Sequence, residues 1–186
     1  MSKYITISLV IIFFVLGTGF GYVVSPQYSM NQYESKQMVD LGKADKYVDL
    51  RYINAMIAHH KGAMKLAEQV KNESRRQDIK DLANMILTDE PKAIAELYQW
   101  KKDWYNETTE IASMEVPNLG TYDEKLDWRF LNALITHHES GIEMTMEIQK
   151  KSTRNEILNN ANAVEDFLHK GKVKLSQMRT DWYEVK

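Results

Sequence analysis

Four of the five histidines fall in two adjacent pairs, His59-His60 and His137-His138. Each helical residue turns about 100°, so adjacent rings share a side only where the apolar stripe is broad. Around the first pair, Ile53, Met56, Ile57, His60, Ala63, Met64, Ala67 and Val70 share one face. His59 falls on its flank beside Tyr52 and Leu66, and Arg51, Asn54, Lys61, Lys65 and Gln69 lie opposite. Around the second pair, Arg129, Asn132, Glu139, Glu143 and Glu147 point away while His137 and His138 take the apolar side. All four imidazoles therefore point inward, where a polar ring must find a partner. A lone core histidine usually finds a hydrogen bond; two pairs in facing segments point to a metal. Neutral imidazole suits copper, zinc, iron or nickel, and thioether sulfur favours Cu(I). Met56, His60 and Met64 follow one another at four-residue spacing, and Met144 shares the flank of His137. With no cysteine in the chain, this His/Met set fits copper best, as Cu(I) or Cu(II). Each methionine taken alone reads as core packing, the preferred reading for Met85 and Met178.

The elements that carry these residues are helices. Three prolines, eight glycines and almost no alternating β-branched pattern in 186 residues give an all-α chain. The first helix runs from about Lys43 to Asn72, and the second continues through Trp104 with Pro91 kinking or breaking it. Ser74-Arg75-Arg76-Gln77, Thr121-Tyr122-Asp123-Glu124 and Thr153-Arg154-Asn155-Glu156 have the spacing of capping boxes opening helices two, three and four. A shift of 78 residues aligns Asp49 with Asp127, Arg51 with Arg129, His59-His60 with His137-His138, and Asp103-Trp104-Tyr105 with Asp181-Trp182-Tyr183. The chain is thus a duplication. Repeat one covers 43–105, a linker 106–120, and repeat two 121–183; two helical hairpins pack into a four-helix bundle over 43–186. The linker is long enough either to cross the bundle or to turn back.

Hairpin arithmetic adds a carboxylate. With the turn near residues 73–74, Glu90 on helix two comes level with Met56 and His59, while its repeat partner is Leu168. Either Glu90 joins the site as a ligand or Pro91 rotates it to solvent. Asp166 and His169 have the carboxylate-x-x-His spacing of di-iron bundles, but with Leu168 inward Asp166 turns outward, and the first half offers no counterpart.

Residues 4–24 carry no charged side chain and are long enough to span a bilayer. The apolar run continues past Gly17-Thr18-Gly19, which favours an uncleaved transmembrane signal anchor over a cleaved signal. Lys3 precedes it, placing the domain outside the cytoplasm, periplasmic or extracellular, with 25–42 as a tether. A net charge of -2 and a pI near 6.2 give no footprint for nucleic acid. Neither a nucleophile–base pair nor a glycine-rich phosphate loop points to an enzyme.

The run Met-Ile-x-His-His-x-Gly-Ala, preceded by Asp-x-x-Tyr/Phe and followed by a helix ending in Trp, resembles the ferritin-like twin-histidine family. That family is long labelled a domain of unknown function and has periplasmic copper-binding and copper-tolerance members. Asp49, Tyr52, Met56, Ile57, His59, His60, Gly62 and Ala63 carry the resemblance in repeat one. Asp127, Phe130, Ile135, His137 and His138 carry it in repeat two. Ala58 and Lys61 stand where the family usually has proline and glutamine, and repeat two departs at Leu134, Thr136, Glu139, Ser140 and Gly141. The resemblance implies copper. The function expected is a membrane-anchored protein that stores, delivers or gives tolerance to copper. The alternative is a metal-free assembly subunit of a membrane complex or homo-oligomer, docking through aromatics around Trp100, Tyr105 and Trp128.

Overall fold

The computed structural model describes residues 40–184. The proposed anchor 4–24 and nearly all of the tether lie outside them. Four helices follow in order: α1 Val48–Val70, α2 Gln77–Tyr105, α3 Leu126–Gln149 and α4 Asn155–Tyr183. Among the described residues there is no strand, and no helix is long and apolar enough to cross a membrane. α1 packs on α2, α3 on α4, and the hairpins meet through α1 and α3.

Contacts at the ends settle the direction of each helix. Arg154, at the start of α4, reaches Asp49 at the start of α1 at 3.3 Å. Arg76, at the start of α2, lies 3.8 Å from Asp127 at the start of α3. Hence α1 and α4 run one way and α2 and α3 the other. The linker must travel the length of the bundle to connect them, and its ties to α1 mark the route. Lys61 bonds Glu110 and the Ile111 carbonyl, the latter at 2.7 Å. The Met114 amide donates to the Ala58 carbonyl at 3.0 Å, and the Leu119 amide to Gln69 Oε1 at 2.7 Å. A bundle with one long crossover is the ferritin-like connectivity.

The repeat extends further back than the helices. Arg51 Nε donates to the Leu41 carbonyl at 2.6 Å, and Arg129 Nε to the Leu119 carbonyl at 2.7 Å. Gly42 and Gly120 follow those leucines, both at positive φ, 68° and 76°, where glycine turns the chain into its helix without a Cβ clash. Across the hairpins, Arg154 lies 4.2 Å over Trp104 and Arg76 lies 4.2 Å over Trp182. The residues that aligned at 78 are thus paired clamps holding each hairpin to the other.

Three local expectations are corrected. α2 is unbroken through Pro91. α1 begins at Val48, later than the expected Lys43. The capping boxes do not form: the caps are Arg76, Lys125 and Arg154, without side-chain bonds. Ser74 and Ser152 instead accept from the amide two residues on, at 3.0 and 3.1 Å, and Asp123 does so for Lys125 at 2.8 Å. These side chains close a turn before the helix, an alternative use of the same short polar groups.

Candidate metal centre

Because α1 and α3 are antiparallel and cross at their midpoints, equivalent residues meet there. His59 and His137 stack with ring centroids 3.8 Å apart. The His59 Nε2–H donates to the His137 carbonyl at 2.9 Å, leaving the lone pair of that ring on Nδ1. Gly141 allows this approach. A methyl there would meet His59 Nε2 at 2.8 Å and Leu168 Cδ1 at 2.5 Å.

His59 is therefore the central ring of α1, 3% exposed, with His60 at its flank. This reverses the order expected from the helical wheel: His59 takes the α3 side of the α1 face, against His137, and His60 the α2 side, against Glu90. His60 turns towards α2, where its Nδ1 pairs with the Glu90 carboxylate; the side chains are 12% and 19% exposed. Pro91 leaves Glu90 pointing inward. His138 is buried on the α4 side, its ring over Gly171, at the place where repeat one has its His–carboxylate pair.

Burial dominates the electrostatics. It lowers His59 to about 4, aided by the neighbouring charge of His60 and opposed by the bond to His137 and by Glu90. It lowers His138 to about 4, against the pull of Glu90. It holds His137 well below 6.5, with His59 and His138 adding to the effect. At neutral pH these three rings are uncharged, the form that ligates metal. Two of their nitrogens, His137 Nε2 and His138 Nδ1, are buried and make no hydrogen bond of ordinary geometry, although the His59 and Leu134 backbones face the two rings and oppose the lowering. Buried polar atoms are rarely left so.

The methionines divide. Met56 and Met144 are 0% and 2% exposed in an apolar cluster with Tyr52, Ile57, Leu97 and Ile148. Met64, a helical turn beyond His60, is half-buried. Met114, which the sequence reading passed over as linker, lies against Gly62 on α1. A methyl at Gly62 would meet Met114 Cγ at 2.6 Å, Met114 Sδ at 3.2 Å and His137 Cε1 at 3.1 Å. The available signal was the apolar spacing of Ile111, Met114 and Val116 in an otherwise polar segment. Among the described residues, no three His, Asp or Glu side chains are grouped so as to hold a metal as they stand. The donors present are imidazole nitrogens and thioether sulfur, a set matched to a soft ion of low coordination number.

The other candidates are peripheral. His169 is exposed, 3.8 Å from Glu165, and Asp166 pairs with Lys170 at the surface. Trp100 and Trp104 stack at 5.1 Å, and with Tyr105 they pack against the core; Trp128 is exposed.

Fold and site together define a duplicated four-helix bundle with histidines paired on its internal two-fold. The chain belongs to the family described as a domain of unknown function, DUF305, whose model matches residues 49–180. Among solved structures it is similar to CopM in the Cu(I)-bound form, with 23% identity, a TM-score of 0.66, and coverage of 73% of this chain and 97% of that one. CopM in the Ag-bound form obtained by co-crystallization gives 24%, 0.65, 73% and 97%. CopM in the apo form gives 23%, 0.64, 73% and 98%. At these identities the likeness shows a shared fold. No curated protein matches the chain.

Proposed function

We propose that this protein binds copper through the inward histidines at the α1–α3 crossing, and holds or delivers the ion without catalysing a reaction. One observation carries the reading: His137 Nε2 is buried and makes no hydrogen bond of ordinary geometry. A structural histidine would have found a hydrogen bond there, whereas a ligand nitrogen is kept free for the ion. Glu90 fits the second role that such sites need. Accepting a hydrogen bond from His60 Nδ1, it fixes the tautomer that leaves the His60 Nε2 lone pair free, and adds negative charge beside the site. That CopM, of the same fold, has been solved with Cu(I), Cu(II) and Ag supports the choice of metal. The uncharged run 4–24 supports a membrane anchor, with the bundle on the extracytoplasmic side.

The test is elemental analysis and Cu(I) competition against a colorimetric chelator, on protein purified without a metal-affinity tag. Wild type should retain copper, and His59→Ala with His60→Ala should lose at least one site. Equal copper content in the two proteins would refute the reading.

A further inference from the structure

The linker does more than connect the hairpins. Its middle is tied to α1 beside the first histidine pair: Lys61, next to His60, holds Glu110 and the Ile111 carbonyl. Tyr98 on α2 accepts from the Ile111 amide at 2.9 Å, and the Met114 amide is bonded to Ala58, next to His59. These ties place a methionine at the level of the histidines from outside the four helices.

Gly62 makes the space. A single point, the position of its missing Cβ, lies 3.2 Å from Met114 Sδ and 3.1 Å from His137 Cε1. Cε1 is bonded to Nε2, the buried nitrogen without a hydrogen bond of ordinary geometry. The thioether and the Cε1 corner of the His137 ring thus both border the space left by the glycine. At the equivalent place in repeat two, Ser140 replaces the glycine.

The geometry points to Met114 as a metal ligand delivered by the crossover, acting with His137 on a soft monovalent ion, Cu(I) or its analogue Ag(I). This rests on the copper-binding reading and extends it to a site that takes one sulfur ligand from the crossover. Thioether sulfur discriminates by oxidation state, so Met114 matters for Cu(I) and little for Cu(II).

The full-length protein in detergent, labelled with 13C in the methionine methyl groups, is titrated with Cu(I) under reducing conditions and with Ag(I). The Met114 methyl resonance, assigned by its loss in Met114→Leu, should shift with metal while that of Met144 stays in place. Met114→Leu should weaken Cu(I) binding about tenfold or more and leave Cu(II) binding within about threefold. Gly62→Ala, which crowds Met114, should weaken Cu(I) in the same direction. Cu(I) binding with an unmoved Met114 resonance would overturn the role of Met114 and leave the copper reading standing. Failure of wild type to bind Cu(I) or Cu(II) would overturn both.

Discussion

Acidifying the metal-free protein tests whether the imidazoles are as buried as the packing implies. Burial places His59 and His138 at about 4 and His137 well below 6.5. In the unfolded chain each returns to about 6.5. The folded values lie below the unfolded ones, so unfolding takes up protons as pH falls. Stability is therefore full above about pH 6.5 and erodes as pH drops towards 4, where the contribution of His59 and His138 levels off. Between pH 7 and 5 His59 and His138 each cost about 2 kcal/mol, together about 4 kcal/mol, and His137 adds to the loss in the same direction; this is a large part of a domain's whole stability. Ordinary carboxylates titrate mainly below this window. Urea unfolding of chelator-treated protein at about pH 7, 6 and 5, followed by far-ultraviolet circular dichroism, measures the loss. His138→Gln, which removes one titrating ring, should reduce the loss between about pH 7 and 5 by about 2 kcal/mol. An unfolding free energy that stays flat from pH 7 to 5 would show that the rings are hydrated or partnered, and would refute the argument.

Three further outcomes follow from named contacts. Glu90→Gln replaces a charged acceptor of the His60 Nδ1–H by a neutral one, and should cost about 1–2 kcal/mol in urea unfolding; nitrogen NMR of the imidazoles should show the His60 tautomer mixing. Arg154→Ala and Arg76→Ala should each cost about 1 kcal/mol through the lost Trp stacking and carboxylate contact. Because the clamps sit at opposite ends, a double variant far from additive would show that they are not independent. Tyr52→Phe removes the hydroxyl bond to Asn160 Oδ1, 2.8 Å long, and should lower stability by about 1 kcal/mol; an unchanged urea midpoint would mean that the bond contributes nothing.

The duplication and the inward faces were legible because a 78-residue shift preserves both helical phase and residue type. Topology was not, since linker length alone allows a crossing or a return; the contacts of Arg154 with Asp49 and of Arg76 with Asp127 decide it, and Lys61 and Gln69 fix the route of the linker through their side-chain bonds. Glu90 was legible as level with the site, but whether Pro91 would turn it away depended on how α2 absorbs the proline. The order within the first pair was misread because the wheel finds the centre of apolar residues along α1. Which ring is more buried depends on two partner helices, α2 and α3, that the α1 sequence does not contain. Met114 is harder to place for a related reason: the apolar spacing of Ile111, Met114 and Val116 marks a packed linker, but a linker has no period from which to infer a facing direction.

The two-fold that pairs the histidines is not exact. Residues on such an axis meet their own equivalents, so His59 stacks on His137. His59 Nε2 donates to the His137 carbonyl at 2.9 Å, whereas the reciprocal contact of His137 with the His59 backbone lacks hydrogen-bond geometry. Each departure of repeat two then has a local cause. Leu168 stands where Glu90 stands and fills the space beside His59 and Gly141 with carbon. Ser140 stands where Gly62 stands, on the side without a crossover, and its hydroxyl donates to the His137 carbonyl at 2.8 Å. The glycine moves one residue on, to Gly141, where His59 needs it. The departures in repeat two are thus complementary to features of repeat one, and in the proposed centre the two halves would contribute unlike parts: the Glu90 carboxylate from one, the His137 and His138 rings from the other.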